Sequence, residues 1–305
     1  MSILCVGQVA YDITFPIDGE LIENQKYRIY EKMECMGGPA GNASFLCALW
    51  GSKVSLMARI GKDIYGEKIL DILNKVGTDT SCLIEDEAIS TSISGIVANR
   101  KNGYRTVFNC PILLKESKFK YPLMNPNMIL VDGHELQASI DVLEYYPSAI
   151  SVLDGGTCNE ITIELAKRVN YLICSEDFAY QYCGIKVCLE EKHQWINTFN
   201  KLHQLNQQHI AVTLGDKGLL YEDDEGIHHL PAYPVKAIDT CGAGDIFHGA
   251  FAYCINKDYS FKDALKISSI TAAISVESYG GQVSIPTKEV VNERLKEAKE
   301  TISLK

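Results

Sequence analysis

Short, almost continuously apolar runs recur along the chain, and longer stretches with helical spacing lie between or after them. Ile3–Val6, Val54–Ala58, Met128–Val131, Ile150–Leu153, Tyr171–Cys174 and Ile210–Thr213 predict buried strands. Gly41–Trp50, Gly66–Val76, Ala138–Tyr146, Ile161–Arg168, Trp195–Gln207, Ala243–Asn256 and Phe261–Glu277 predict helices. Such alternation implies an α/β fold, a mostly parallel central sheet covered by helices on both faces. Ligands of such sheets sit at the carboxyl ends of the strands.

Two stretches break the pattern. Thr14–Cys35 is polar and has no helical period, while Ser92–Asn99 and Tyr104–Cys110 alternate across Arg100-Lys101-Asn102-Gly103. Asn-Gly is a strong hairpin signal. Together these pieces predict a small β sheet, residues 14–35 and 92–110, projecting from the main body. It can cover a substrate and exclude water, or pair with another subunit. A plain surface hairpin fits the periodicity equally well.

The richest chemistry lies in Asp239-Thr240-Cys241-Gly242-Ala243-Gly244-Asp245, which runs into the helical segment Ile246–Asn256. Small residues at 242–244 let backbone N–H groups converge, and a helix start adds its dipole and unpaired first-turn donors. Such a corner binds anionic oxygens. A carboxylate there repels phosphate, yet suits a loop that must take a proton from an attacking hydroxyl. The segment therefore reads as a phosphoryl-transfer site, with a simple turn capped by Asp245 as the alternative.

A second glycine-rich segment, Gly37-Gly38-Pro39-Ala40-Gly41-Asn42-Ala43, precedes another predicted helix. Asn42 offers a donor and an acceptor to sugar-like hydroxyls, and Asp12, just after the first strand, can accept hydrogen bonds from a diol. Asn42 also reads as a helix cap, and Asp12 as a turn residue. Asp132 and His134 follow the strand Met128–Val131, within reach of sugar hydroxyls or with core and surface roles. Lys26, Arg28 and Arg105 lie in or near the predicted lid, where they meet an anionic sugar or stay solvated.

Composition narrows the partners. With 305 residues, 46% of them hydrophobic, the chain can bury a large core as one α/β domain. A formal charge of −10 argues against nucleic acid or an anionic membrane as the main partner. A nucleotide remains compatible where the local site and a metal ion supply positive charge. No run is long enough to span a membrane, and the amino terminus lacks the pattern of a signal peptide. Eleven scattered cysteines without a C-x-x-C pair fit a reducing cytoplasm, and Cys183, Cys188 and His193 match no zinc spacing. There is neither a Walker P-loop nor a G-x-G-x-x-G after a strand.

The chain resembles the ribokinase-like (PfkB) carbohydrate kinases. Gly37-Gly38-x-x-x-Asn42 continuing to Ala58-Arg59-Ile60-Gly61-Lys62-Asp63-x-x-Gly66 is similar to the first signature of that family, and Asp239-Thr240-x-Gly242-Ala243-Gly244-Asp245-x-Phe247-x-Gly249-Ala250 to the second. Thr213-Leu214-Gly215-x-x-Gly218 resembles its nucleotide-contacting loop. The resemblance implies a three-layer ribokinase-like fold with a small β lid that often serves as a dimer contact. It implies ATP-dependent phosphorylation of a sugar hydroxyl, on a ketose or furanose such as fructose or ribose. Asp245 is then the base, with the amides of Gly242, Ala243 and Gly244 around the transferring phosphoryl. Asp12, Gly38 and Asn42 hold the sugar, Thr213, Gly215 and Gly218 line the ATP site, and Mg²⁺ accompanies ATP. Asp239 and Cys241 match positions that hold a monovalent cation, K⁺, in some members. One departure stands out: where the family carries Asn-x-x-Glu near the phosphates, this chain has Ser175-Glu176-Asp177-Phe178. Ser175 takes the Asn position, and Glu176 or Asp177 acts on the metal through water or is a surface acid. A nucleoside kinase with Phe15, Tyr27, Tyr30 or Phe108 around the base, and a sensor without catalysis, are the other functions compatible with this pattern.

Overall fold

A computed structural model describes residues 1–101, 105–112, 118–299 and 303–304. Six parallel strands form most of the main sheet: β1 (Ser2–Val6), β4 (Lys53–Met57), β9 (Met128–Val131), β10 (Ile150–Gly155), β11 (Tyr171–Ser175) and β12 (His209–Thr213). They coincide with the six apolar runs. An antiparallel pair, β13 (Leu219–Asp223) and β14 (Gly226–Leu230), extends one edge, giving the order β14-β13-β12-β11-β10-β9-β1-β4.

Nine helices in the described residues flank this sheet: α1 (Pro39–Leu49), α2 (Ile64–Lys75), α3 (Leu136–Tyr145), α4 (Glu160–Ala166), α5 (Glu176–Cys183), α6 (Lys192–Leu202), α7 (Ala243–Asn256), α8 (Phe261–Ser275) and α9 (Lys288–Glu297). The strands alternate between two apolar cores. On β1, Ile3 and Cys5 face the core shared with Leu46, Trp50 and Phe251, while Leu4 and Val6 face the one containing Phe178, Trp195 and Leu202. Every residue of α7 from Ile246 to Asn256 is buried, so the helix bearing Asp245 is locked into the interior.

Some boundaries differ from expectation for local reasons. Helix α1 begins earlier, at Pro39, because proline at the first helical position loses no hydrogen bond there. Helix α6 stops at Leu202 rather than Gln207, because Asn206 turns inward and donates to the carbonyls of Ala166 (3.0 Å) and Val169 (2.7 Å). Helix α8 stops at Ser275, and the Val276 carbonyl accepts from the amides of Ile238 (2.7 Å) and Asp239 (3.2 Å). That contact anchors the chain entering the Asp239–Asp245 corner. Helices α5 and α9 were not anticipated by periodicity.

The projecting sheet has four strands, β2 (Ala10–Ile17), β3 (Met33–Gly37), β7 (Ile93–Asn99) and β8 (Arg105–Cys110), in the order β3-β2-β7-β8. Its first strand starts at Ala10, before the polar stretch, because Tyr11 and Ile17 are apolar enough to be buried. Strands β7 and β8 pair antiparallel from Ile93↔Cys110 to Ala98↔Arg105, as the alternation predicted. The Asn102-Gly103 turn lies outside the described residues. A short parallel pair, β5 (Arg59–Gly61) and β6 (Ile84–Asp86), completes the strands.

Candidate active site

The helix start at α7 is built from backbone alone. Gly242 is its N-cap, in the left-handed region (φ 75°), and no side chain caps it. Asp245 is therefore not the cap but a first-turn acid with other work. Asn42 Nδ2 donates to Asp245 Oδ2 at 2.7 Å. Two small residues permit that contact: a Cβ on Gly249 would lie 2.9 Å from the Ala43 Cα, so α1 and α7 cross in backbone contact. Burial raises the Asp245 carboxyl above the usual range, while the Asn42 hydrogen bond and the nearby His248 pull it back down. Beside it, a Cβ on Gly244 would meet nothing within 4 Å, which leaves the first-turn amides open on that side.

Asn42 is not a cap either, since Gly38 holds that position (φ 87°) and Asn42 lies inside α1. It is 1% exposed, and its Oδ1 has no hydrogen-bond partner. Asp12 lies in mid-strand on β2 rather than in a turn. Burial pushes its carboxyl up to about 6, with a hydrogen bond from Ser94 opposing and the charges of Asp245 and Asp239 adding to the rise. Arg105, on the exposed face of β8, donates to Thr240 Oγ1 and so ties the lid to the corner before Asp245. Lys26 and Arg28 lie in exposed chain between β2 and β3.

Asp132 is placed differently from a free sugar ligand. Its side chain is fully buried and accepts from the amides of Gln8 (2.8 Å), Ala40 (3.1 Å) and His134 (2.9 Å). A Cβ on Gly7 would overlap this carboxylate. Asp132 thus ties the end of β1 and the start of α1 to the end of β9. His134 Nδ1 lies 3.1 Å from the same group and its ring is half exposed. Burial lowers its affinity for a proton, but the charge of Asp132 outweighs that and pushes it up to about 9. His134 borders a cleft of about 140 Å³ with Gln8, Ser92, Ile112 and the buried Arg59–Glu135 ion pair (2.7 Å).

On the other side, the loop after β12 turns through Gly215 (φ 61°) and Gly218 (φ 95°), and the Leu214 amide donates to the Gly218 carbonyl at 2.7 Å. Thr213 Oγ1 donates to the Cys174 carbonyl at 3.4 Å. The Ser175 hydroxyl donates to the Gly156 carbonyl (2.8 Å) and caps α5 by accepting from the Phe178 amide (3.0 Å). Phe178 is wholly buried, so the place of the missing acid belongs to the core. Both oxygens of Glu176 accept from Lys217 at 3.2 Å. Asp239 is engaged through both oxygens too, by the amides of Cys241 and Gly280 (each 2.9 Å), and closes the corner against the loop after α8. Burial, followed by the charge of Asp12, raises the Cys241 thiol.

Among the described residues, the one group of three side chains with ligand atoms close enough to share an ion is Asp223, Glu225 and His228, on the β13–β14 hairpin. Two groups passed over in the sequence lie behind Asp245: Asp154, at the carboxyl end of β10, and His248, one turn along α7, with Nδ1 to Oδ2 at 3.3 Å. Asp154 ends an apolar run and His248 interrupts an apolar helix; those are the only local signals.

The chain matches the pfkB family carbohydrate kinases over residues 1–149 and 157–288. A deoxyribokinase of Salmonella typhi is 26% identical over 305 aligned residues, covering 95% of this chain and 95% of that protein. A ribokinase of Staphylococcus aureus (strain COL) is 24% identical over 303, covering 96% and 99%. The crystal structure of a candidate ribokinase from Agrobacterium tumefaciens superposes with a TM-score of 0.89 at 27% identity, covering 98% of each chain.

Proposed function

The chain belongs to the pfkB family of carbohydrate kinases, and on that premise we propose that it transfers the γ-phosphate of ATP to a hydroxyl of a furanose or ketose such as ribose or fructose, with Asp245 as the base. One observation carries the reading: Asp245 is freed from capping, aligned by Asn42 at 2.7 Å, and stands beside the open side of Gly244. Asp245 takes the proton from the sugar hydroxyl as that oxygen attacks. The amides at 242–244 and the start of α7 meet the negative charge on the transferring phosphoryl. Asp12 and Asn42 accept from and donate to the sugar hydroxyls, and Gly38 lets the backbone come close to them. Thr213, Gly215 and Gly218 shape the nucleotide side, and the lid, latched by Arg105 to Thr240, keeps water out. Magnesium bound to ATP would offset phosphate charge.

The same reading places the protein in the cytoplasm, where its eleven cysteines stay free. It also pairs two copies through the lid, on whose β8 Val107 and Phe108 are 47% and 56% exposed. A nucleoside acceptor is the second reading, favoured by that exposed Phe108 as a surface for a base.

ADP release from ATP measured across ribose, deoxyribose, fructose and nucleosides tests the class. Asp245→Asn tests the base: turnover is expected to fall by roughly 10²–10⁴-fold while calorimetry still detects ATP. Turnover retained by that variant refutes the assignment. Ligand binding without ADP release from any member of the panel identifies a sensor instead.

A further inference from the structure

His248 is 4% exposed, and its ring nitrogens face two backbone carbonyls and a carboxylate. Nδ1 faces the Gly244 carbonyl at 2.7 Å and Asp154 Oδ2 at 3.3 Å, and Nε2 faces the Ile173 carbonyl at 3.1 Å. A neutral imidazole has one N–H, so in either tautomer a ring lone pair would point at a carbonyl oxygen. Two hydrogens satisfy all three oxygens, and Asp154 then supplies the counter-charge. The groups in electrostatic reach are Asp245 on the same helix, Asp154 on β10, and Asp132 and His134 after β9; Arg105 on the lid, Asp12 on β2 and Cys241 before α7 also reach Asp245.

We propose that His248 is a positioning residue for phosphoryl transfer: its doubly protonated ring, held by Asp154, is the fixed positive charge behind the first turn of α7 against which Asp245 stands ionised. The idea rests on Asp245 being the base. The ring also grips the Gly244 carbonyl, so one contact fixes the turn and the charge together. Without His248, Asp154 would be a second buried acid with no counter-charge beside Asp245. Without Asp154, the ring would be an unbalanced cation.

The sign of each effect follows. Removing the cation makes ionisation of Asp245 harder, so the acidic limb of the kcat–pH profile moves up; removing the Asp154 charge moves it down. His248→Gln is expected to raise the limb by about one unit, which is ~10-fold slower turnover at pH well below the limb, with KM for ATP within ~2-fold. Asp154→Asn should lower it, and the double variant should return near the wild-type limb. The assay is ADP release with ribose, or with whichever panel sugar or nucleoside the wild type turns over. Nitrogen-15 NMR of the wild-type imidazoles, assigned by the signal lost in His248→Gln, should show His248 doubly protonated at neutral pH. A single-proton tautomer there overturns the proposal, and so does a limb that stays fixed in all three variants while melting temperatures fall. If the variants do not fold, the wild-type resonance, identified by its low exposure to solvent exchange, decides alone. Turnover retained by Asp245→Asn instead sinks the base assignment, a distinct result.

Discussion

The two glycine-rich corners use the same residue for opposite reasons. In the first, glycine stands where something already fills the space: a Cβ would lie 2.7 Å from the Gln8 carbonyl at Gly38, 2.8 Å from Val9 at Gly41 and 2.5 Å from the Ile89 carbonyl at Gly61, and would overlap the Asp12 carboxylate at Gly37 and the Gly61 carbonyl at Gly66. Asp63, in the same signature, caps α2 and holds the Thr91 amide at 2.8 Å. In the second corner Gly242 is crowded too, since its Cβ would lie 3.0 Å from the Gly281 Cα, but a Cβ on Gly244, next to Asp245, would meet nothing within 4 Å. The first corner is closed by its own architecture; the second is open toward a ligand. A shared motif vocabulary therefore hides two physical jobs, stability in one corner and chemistry in the other.

The strongest way to break this contrast is at the acid of the open corner. Asp245→Asn keeps size and can still receive the Asn42 contact after a flip, so its melting temperature should stay close to wild type. Its kcat should fall by roughly 10²–10⁴-fold, the usual worth of a positioned base. A large loss of stability with a small loss of rate would assign Asp245 to architecture and erase the distinction.

Paired alanines sharpen it. Gly66→Ala drives a methyl into the Gly61 carbonyl, a backbone atom that cannot rotate away, and should destabilise by about 2–4 kcal/mol in urea unfolding. Gly244→Ala adds its methyl to empty space in a helix first turn and should leave stability within about 0.5 kcal/mol. Its kcat should drop ~10–100-fold, because the methyl intrudes where phosphoryl oxygens approach the amides. Equal stability losses in the two variants would show that both corners are structural.

The legible part of the molecule was the part whose cause is local. The six strands announce themselves as apolar runs, and the Gly242–Asp245 corner combines a turn, a helix start and an acid within a few residues. The Asp154–His248 pair was invisible because two distant segments meet only when α7 packs on the sheet beside β10 and β11. Helix α5 was masked by reading Ser175-Glu176-Asp177 as a displaced motif, although a serine followed by two acids is an N-terminal helix signal in its own right. The end of α6 depended on where Asn206 finds its carbonyls, which no period encodes.

Asp12 gives the smallest effect and tests the border between the two corners, because it is buried against the first and serves the ligand of the second. Its folded carboxyl titrates at about 6, above the value near 4 expected of an unfolded chain. A raised acid holds its proton longer in the folded state, so its contribution to stability is complete at pH below about 4 and is lost as pH rises through about 6. At about pH 8 the ionised group therefore opposes folding, by an amount on the order of 2–3 kcal/mol from the shift alone. Asp12→Asn should recover ~1–2 kcal/mol of that in urea unfolding at about pH 8, the remainder being lost with the Ser94 and Arg105 interactions, and should recover little at about pH 4. The same variant should raise KM for the sugar at least ~10-fold, since an amide offers one uncharged acceptor oxygen where the carboxylate offers two charged ones. In the wild type, KM for the sugar should climb as pH falls through about 6 for the same reason. Stability gained with binding lost marks an acid kept for its ligand; stability lost at both pH values would return Asp12 to the closed corner.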